Sequence, residues 1–383
     1  MIARRLRPFG TTIFTEMSAL ALRTGALNLG QGFPDTDGPS ELMAAVNAAM
    51  RSGHANQYAP LAGRPELRTA IAEHQRRRYG IELDGDDGVL VTFGATEAIA
   101  ATMLGLLEPG DAVVVLEPFY NSYAATIAMA GGVRRLVTLR PPDFALDLDA
   151  LAAAAPGARK LLLNSPHNPT GRVLRRDELE AIARLCVEHD LIAVTDEVYE
   201  HLVYDGEHIP LATLPEMAER TLTISSAGKS FSFTGWKIGW CSGPQELVAG
   251  VRAAKQFLSF AGGTPLQVAV AAGLADAERL VAPLRAALLD GRNLLCDGLR
   301  AAGFAVTVPE GGYFVQADAA PLGVTDAAAW CRELPDLAGV VAIPTSAFYD
   351  DADVGRTLVR FAFCKRAEVI AEAVERLEAL RGP

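Results

Sequence analysis

Short apolar runs alternate with amphipathic stretches along the chain as far as Leu274. The runs are rich in Val, Ile and Leu and are apolar on both faces, which predicts buried strands of a mostly parallel sheet. They lie at 89–92, 112–116, 160–164, 191–195, 221–225 and 238–242. The stretches between them are long enough for helices, and 175–190 has apolar residues spaced for one helix face. This alternation predicts an α/β fold.

The pattern changes after Leu274, where a long stretch rich in Ala, Leu and Arg predicts a helix. Shorter strand-like segments follow at 305–308, 313–315, 340–343 and 358–361. A chain of 383 residues also exceeds what one hydrophobic core usually serves. We therefore predict a large domain at 33–274 and a smaller α+β domain that includes 275–383.

The composition is typical of a globular enzyme, because 50% of the residues are hydrophobic and 21% are charged. The net charge of -11 argues against nucleic acid as a partner. The basic residues at 1–7 are not followed by the apolar core of a signal peptide. The longest apolar run, at 98–107, is about half the ~20 residues of a membrane span. We expect a cytoplasmic protein that has no membrane partner.

The cysteines are five in number and widely spaced, and no pair has the spacing of metal ligands. They are Cys186, Cys241, Cys296, Cys331 and Cys364. This pattern favours reduced, buried thiols and predicts no metal site.

Lys229 stands among small residues, in Ser-Ser-Ala-Gly-Lys-Ser-Phe at 225–231, and a second cation, Lys237, follows eight positions later. A single lysine is usually a solvated surface group. Here the small residues directly after a predicted strand allow the backbone to approach a ligand closely. A lysine in such a place can add to the aldehyde of pyridoxal phosphate and can then move protons as a general acid and base.

A carboxylate, Asp196, ends one of the predicted buried strands, where its burial is costly unless it has a partner. The protonated pyridine nitrogen of the cofactor would be such a partner, although Asp196 would also suit the N-cap of a following helix. Tyr199 lies three residues further on the same face of a turn and could donate to the ring hydroxyl. Asn168 begins Asn-Pro-Thr-Gly between a strand and a helix, and it could hold the other side of that hydroxyl; the motif would also suit a plain turn.

A phosphate group could bind where a predicted helix begins directly after the strand at 89–92, because amides at a helix N-terminus favour an anion. A hydroxyl and a cation near Lys229 could add to this site. The candidates are Gly94, Ala95, Thr96, Ser226 and Lys237. Tyr120 could stack against the cofactor ring, although an aromatic residue after a strand is more often part of the core.

Arg360 lies among strand-like apolar residues in Val-Arg-Phe-Ala-Phe at 359–363. A buried guanidinium needs an anionic partner. A substrate carboxylate bound through two hydrogen bonds would satisfy it, as would a structural salt bridge with an acidic residue.

Together these motifs resemble the fold-type I enzymes of the class I/II aminotransferase family, from 28–35 to 359–361. The resemblance implies that Lys229 binds the cofactor aldehyde, and that the residues above have the roles suggested. It also implies that Gly32, Asn168 and Arg360 contact the substrate and that Phe14 lies over its entrance. Tyr58 matches a tyrosine that reaches the phosphate of the neighbouring subunit, which implies a homodimer with shared active sites. Residues 1–32 are expected to pack with the small domain.

Two segments, 31–35 and 117–120, are similar to the branch of kynurenine/glutamine and methionine aminotransferases. The chain as a whole resembles bacterial N-succinyldiaminopimelate aminotransferases. The resemblance implies transfer of an amino group from a donor, expected to be glutamate, to a 2-oxo acid in ping-pong order.

Three other functions compete with transamination, and the sequence disfavours two of them. The same cofactor would serve β-elimination from cysteine conjugates, which the sequence does not separate from transamination. A non-catalytic regulator that binds the cofactor would carry a DNA-binding module, and only about 30 residues precede Gly30. A nicotinamide dehydrogenase is disfavoured because Gly-x-Gly-x-x-Gly is missing at the first strand turn.

Overall fold

The computed structural model describes residues 2–381, so residues 1, 382 and 383 of the predicted small domain lie outside the described residues. The strands are β1 Leu27–Asn28, β2 Val89–Phe93, β3 Ala112–Glu117, β4 Val133–Thr138, β5 Lys160–Asn164, β6 Ile192–Asp196, β7 Thr221–Ser226, β8 Ile238–Ser242, β9 Ala305–Thr307, β10 Phe314–Asp318, β11 Val340–Val341, β12 Ile343–Pro344 and β13 Leu358–Ala362. The α-helices are α1 Ile13–Thr24, α2 Ser40–Ser52, α3 Pro65–Tyr79, α4 Gly94–Leu106, α5 Ser122–Ala130, α6 Leu148–Ala154, α7 Arg176–Glu188, α8 Ala227–Ser230, α9 Gln245–Lys255, α10 Thr264–Ala275, α11 Ala277–Ala301, α12 Ala327–Ala338 and α13 Ala367–Glu378.

A seven-stranded sheet in the order β2-β8-β7-β6-β5-β3-β4 forms the centre of the fold. All neighbours in it are parallel except at β8, which runs antiparallel to both β2 and β7. The prediction of a mostly parallel sheet in an α/β fold is therefore confirmed. The sequence pattern missed β4, because this strand lies at the edge and only Val137 of its six residues is buried.

Both faces of this sheet are covered by helices. On β3, Val113 and Val115 pack into a cluster with α4, α5 and α9, whereas Val114 and Leu116 pack into a second cluster with α6 and α7. Successive side chains of a strand point to opposite faces. The strands are apolar on both faces because each face has its own core.

The C-terminal part contains a four-stranded antiparallel sheet in the order β12-β13-β10-β9. The N-terminal segment packs against this part, because β1 pairs in parallel with β11 and α1 contacts α12. A single hydrophobic cluster runs from Leu42 and Trp240 to Val315 and Phe361. The division at residues 33 and 274 stays a prediction, since the packing is continuous across it.

Two further expectations concern the state of the cysteines and the presence of membrane-spanning helices. All five cysteines are buried and free of disulfides, as predicted. Over residues 2–381, no helix combines the length and the apolar character that crossing a membrane requires.

Candidate active site

One cavity of about 200 Å³ lies where the parallel strands end, which is where open α/β sheets bind ligands. Ten of the eleven residues predicted to bind the cofactor line it. They are Gly94, Ala95, Thr96, Tyr120, Asn168, Asp196, Tyr199, Ser226, Lys229 and Lys237. The eleventh, Tyr58, is 82% exposed and does not line this cavity.

Lys229 lies in α8, the single turn of helix that follows β7. Its Nζ donates to the backbone oxygen of Gly32 at 3.3 Å and to the hydroxyl of Tyr313. The Tyr313 hydroxyl in turn donates to the same Gly32 oxygen at 2.6 Å. Burial lowers the pKa of Lys229 to about 8. The amine is therefore neutral in part of the molecules near neutral pH, which is the form that attacks an aldehyde.

Asp196 ends β6 and is buried beneath the cavity. Its carboxylate accepts from the Tyr123 hydroxyl at 2.7 Å and from the backbone N–H of Val198 at 3.3 Å. Burial raises the pKa of Asp196 to about 6. Over residues 2–381, no salt bridge reaches this carboxylate. A buried carboxylate with neutral donors alone fits a cationic ligand atom, such as a protonated pyridine nitrogen.

Asn164 orients the loop that carries Asn168. The strand register places it beside Asp196, whose backbone oxygen accepts from Asn164 Nδ2 at 2.7 Å. Asn164 Oδ1 accepts from the backbone N–H of Asn168 at 2.7 Å. Asn168 is thereby held at the cavity, and its own Oδ1 accepts from Arg360 Nη1 at 3.0 Å.

The phosphate end of the cavity is formed where α4 begins. Gly94 has φ +75°, and a Cβ there would lie 3.2 Å from Lys237 Nζ, so glycine lets this cation reach the helix N-terminus. Lys237 itself has φ +54°, a strained value for a residue with a side chain. Among the described residues it has no hydrogen-bond or ion-pair partner for its ammonium. A helix N-terminus beside an unpaired cation is suited to an anion.

Arg360 is buried on β13, with Nη1 on Asn168 and Nη2 donating to the Gly30 backbone oxygen at 2.9 Å. Its guanidinium lies 3.9 Å from the centre of the Phe314 ring. Within the described part of the chain it has no salt bridge, and its Nε has no hydrogen-bond partner. The alternative of a structural salt bridge is therefore wrong. Burial lowers the pKa of Arg360 to about 10, and a buried cation in this state fits a carboxylate ligand.

The other predicted residues lie around these groups. The Tyr199 ring centre is 5.1 Å from that of Tyr313, and burial raises the pKa of Tyr199, so its hydroxyl stays a donor. The Tyr120 ring meets Tyr123 edge-on at 5.7 Å. The Phe14 ring lies 5.2 Å from the Arg360 guanidinium. Gly32 is next to the Phe314 ring, where a Cβ would come within 2.4 Å of that ring.

Sequence reasoning missed Tyr123, Asn164 and Tyr313. Tyr123 and Asn164 were visible as polar residues beside Tyr120 and at the end of a predicted strand. Tyr313 follows Gly-Gly at 311–312 and carries no signal of its own. Only the pairing of β10 with β13 in the C-terminal sheet brings it close to Lys229.

The family model for aminotransferase class I and II matches residues 24–377. The chain belongs to this family. It is an aminotransferase of the kind that uses pyridoxal phosphate, and the buried carboxylate of Asp196 and the unpaired cation of Lys237 fit that group.

Three relatives of this aminotransferase cover nearly the whole chain. The probable N-succinyldiaminopimelate aminotransferase DapC of Mycobacterium tuberculosis is 54% identical over 99% of this chain and 98% of its own. A solved structure of the N-succinyldiaminopimelate aminotransferase from that organism covers 99% of this chain and 100% of its own at 55% identity, with a TM-score of 0.97. Methionine aminotransferase of Escherichia coli is 38% identical over 98% and 97%. Kynurenine–oxoglutarate transaminase 3 of Mus musculus is 36% identical over 97% and 89%.

The raised pKa of Asp196 gives a prediction about the cofactor-free aminotransferase. Its folded pKa, about 6, lies above the 3.8 that is usual for an exposed aspartate, so the ionised carboxylate destabilises the folded state. This penalty is absent below about pH 4, grows as the pH rises through 6, and reaches about 3 kcal/mol above it. Asp196→Asn should therefore raise the free energy of unfolding by about that amount at pH 7.5 and leave it unchanged at pH 4.

Urea unfolding of the cofactor-free protein at both pH values measures this difference. The matched control is Asp297→Asn, which removes an exposed carboxylate paired with Arg300. It should change the stability by less than about 1 kcal/mol at either pH. An Asp196→Asn protein that is less stable than the wild type at pH 7.5 would contradict the prediction.

Proposed function

We propose that this aminotransferase acts on N-succinyldiaminopimelate, with glutamate as the amino donor in the biosynthetic direction. The observation that carries the substrate is the 54% identity over nearly the full length of both chains to the Mycobacterium tuberculosis relative. The acceptor would be the 2-oxo acid that corresponds to N-succinyldiaminopimelate. The guanidinium of Arg360, which has no acidic partner among the described residues, supports this class of substrate, because both the donor and the acceptor carry a carboxylate next to the reacting carbon.

The proposed roles follow from the contacts of each residue. When bound, pyridoxal phosphate supplies an aldehyde that captures the amine of the substrate and a ring that accepts electrons. Asp196 would keep a proton on the ring nitrogen, and Asn168 and Tyr199 would bind the ring hydroxyl. The phosphate would be held by Lys237 together with the amides at the start of α4.

Lys229 would have two successive roles. Its amine would hold the cofactor and, once the amine of a substrate had freed it, would take the proton from the substrate α-carbon and deliver it to the cofactor carbon that carries the amine. The lowered pKa of about 8 suits both steps, because the amine accepts and releases a proton near neutral pH. The Tyr313 hydroxyl and the Gly32 oxygen are placed to hold the freed amine beside the substrate.

Arg360 would bind the substrate carboxylate between Asn168 and the N-terminal arm. Gly32 and Phe14 would shape the space on the other side, as the resemblance to the family implied. The donor and the acceptor would use the same clamp in turn, which agrees with ping-pong order.

We also propose that the chain works as a homodimer with shared active sites. Tyr58 is 82% exposed and meets Phe260 edge-on, with ring centres 5.7 Å apart. Phe257 is 84% exposed and Phe260 is 45% exposed, so this face presents several large apolar side chains. Such a patch marks an interaction surface, and a second copy would cover it and bring Tyr58 to the neighbouring phosphate.

Two inferences concern the chain as a whole. We propose a cytoplasmic location, which five buried and unpaired thiols support. We further propose the division into 33–274 and a smaller unit made of 1–32 and 275–383, which the pairing of β1 with β11 supports.

The substrate is tested by a panel of amino donors and acceptors ranked by kcat/KM. N-succinyldiaminopimelate should exceed methionine and kynurenine in kcat/KM by at least about tenfold. Glutamate should convert the absorption of the bound cofactor from its aldehyde form to its amine form.

A Lys229→Ala protein should lose turnover by several orders of magnitude. Wild-type turnover in Lys229→Ala would refute the assignment of this residue. In the substrate panel, pyruvate and ammonia from a cysteine conjugate as the main products would favour β-elimination. The highest kcat/KM for methionine or kynurenine would instead assign the chain to the methionine or kynurenine aminotransferases.

Arg360→Lys is expected to lower kcat/KM for every amino donor by about 100-fold or more, because a lysine cannot replace the two-pronged contact with a carboxylate. Steady-state kinetics with glutamate measure the loss. The matched control is Arg356→Lys on an exposed side chain nearby, which should change kcat/KM less than twofold. An unchanged kcat/KM in Arg360→Lys would place the substrate carboxylate elsewhere.

The homodimer predicts a sedimenting mass of twice 40.6 kDa for the holoenzyme. Tyr58→Phe should keep that mass and weaken the cofactor affinity by about tenfold, since one hydrogen bond to the phosphate is lost. Analytical ultracentrifugation and cofactor titration test both points. A monomer with full activity would contradict shared active sites.

A further inference from the structure

A buried cluster of His74, Glu200 and His201 lies close to the turn that follows Asp196 in the chain. His74 belongs to α3, and the other two lie in the turn that follows β6. All three side chains are almost fully buried. His74 Nε2 and His201 Nε2 are 2.9 Å apart, and one ligand atom of each of the three residues lies within 4.8 Å of the others.

The cluster has an outer shell of hydroxyl groups. The Ser230 hydroxyl lies 2.9 Å from His201 Nδ1, which is the ring nitrogen that faces away from His74. The two carboxylate oxygens of Glu200 accept from the hydroxyls of Ser225 at 2.7 Å and Tyr79 at 2.9 Å. Metal-ligating histidines and carboxylates are oriented by such outer partners.

His74 also has a ring nitrogen that its contacts leave unpaired. The ring is almost fully buried, and its Nδ1 has no hydrogen-bond partner. Buried polar atoms without a partner are uncommon and call for an explanation. A cation bound at Nε2 would hold the ring in the tautomer that carries its proton on Nδ1, and it would not itself pair that proton.

A surface cavity reaches one side of the cluster. His74 also lines a surface cavity of about 280 Å³, together with Arg77 and Arg78. These two cations do not leave the cavity strongly positive, because Arg77 pairs with Glu73 at 3.5 Å and Arg78 pairs with Glu278 at 2.8 Å.

We propose that His74, Glu200 and His201 form a binding site for a divalent transition-metal ion of the zinc class. Two imidazoles and a carboxylate are a ligand set that zinc takes, with a fourth position left for water. Zn–N bonds of about 2.0–2.1 Å in a tetrahedron separate two nitrogens by roughly 3.3 Å. The two rings need to part by only a few tenths of an ångström from their present 2.9 Å.

The site would have a consequence for the neighbouring chemistry. Ser230, which contacts His201, is the residue directly after Lys229, and Ser225 directly precedes Ser226 in β7. A bound ion would fix the two ends of the segment that carries the lysine. Because the ion binds the folded state, it would also raise the thermal stability of the holoenzyme.

The test is equilibrium dialysis of the holoenzyme against zinc chloride, with the metal content measured by plasma mass spectrometry. We expect one zinc ion per chain in the wild type, a rise in Tm with zinc, and an unchanged absorption of the bound cofactor. His74→Ala and His201→Ala should each reduce the affinity at least tenfold and abolish the rise in Tm. Ser230→Ala, which removes an outer partner, should weaken the affinity by about 10- to 100-fold.

His208→Ala is the matched control, because His208 is a buried neighbour that pairs with Glu197 at 2.8 Å and is not a proposed ligand. It should keep one zinc ion per chain. If the histidine variants fail to fold, the cobalt-loaded wild type decides: the intense visible bands of a four-coordinate site with two nitrogen donors support the proposal. No bound metal in the wild type, equal binding in all variants, or cobalt bands of six-coordinate ions alone would overturn it.

Discussion

The buried carboxylate of Asp196 is the constraint on which the site depends. It lies at the end of β6, in the middle of the large sheet, and receives only neutral donors from Tyr123 and the backbone. Sheet and helices on both sides exclude water from it, so its charge is stable only beside a cationic ligand atom. The fold thus keeps an unfavourable charge in place, which is common at functional sites, and the proposed contact with the pyridine nitrogen would compensate it.

A series of hydrogen bonds connects Asp196 to the C-terminal sheet. Asp196 is tied to Asn164, Asn164 holds the loop of Asn168, and Asn168 accepts from Arg360 in the C-terminal sheet. Arg360 in turn donates to Gly30 in the N-terminal segment. The groups proposed for the ring and for the substrate carboxylate are therefore aligned by direct hydrogen bonds and not only by packing.

The sequence predicted the sheet well because its strands are buried on both faces and read as continuous apolar runs. The edge strand β4, with Arg134 and Arg135, lacked that signal. Residues at strand ends, such as Asp196, could be named in advance because parallel strands end at a common edge. Tyr313 could not, since its place beside Lys229 depends on the pairing of the C-terminal strands. The cluster of His74 and His201 was equally hidden, because 127 residues separate the two histidines.

The contact between Gly32 and Phe314 limits which substitutions this part of the chain tolerates. The Phe314 ring occupies the space that a Cβ of Gly32 would need, and it supports the guanidinium of Arg360 on its face. A methyl group at position 32 would push the ring away from the face of the arginine that it supports. A substitution at one of these three positions therefore requires an adjustment at the other two.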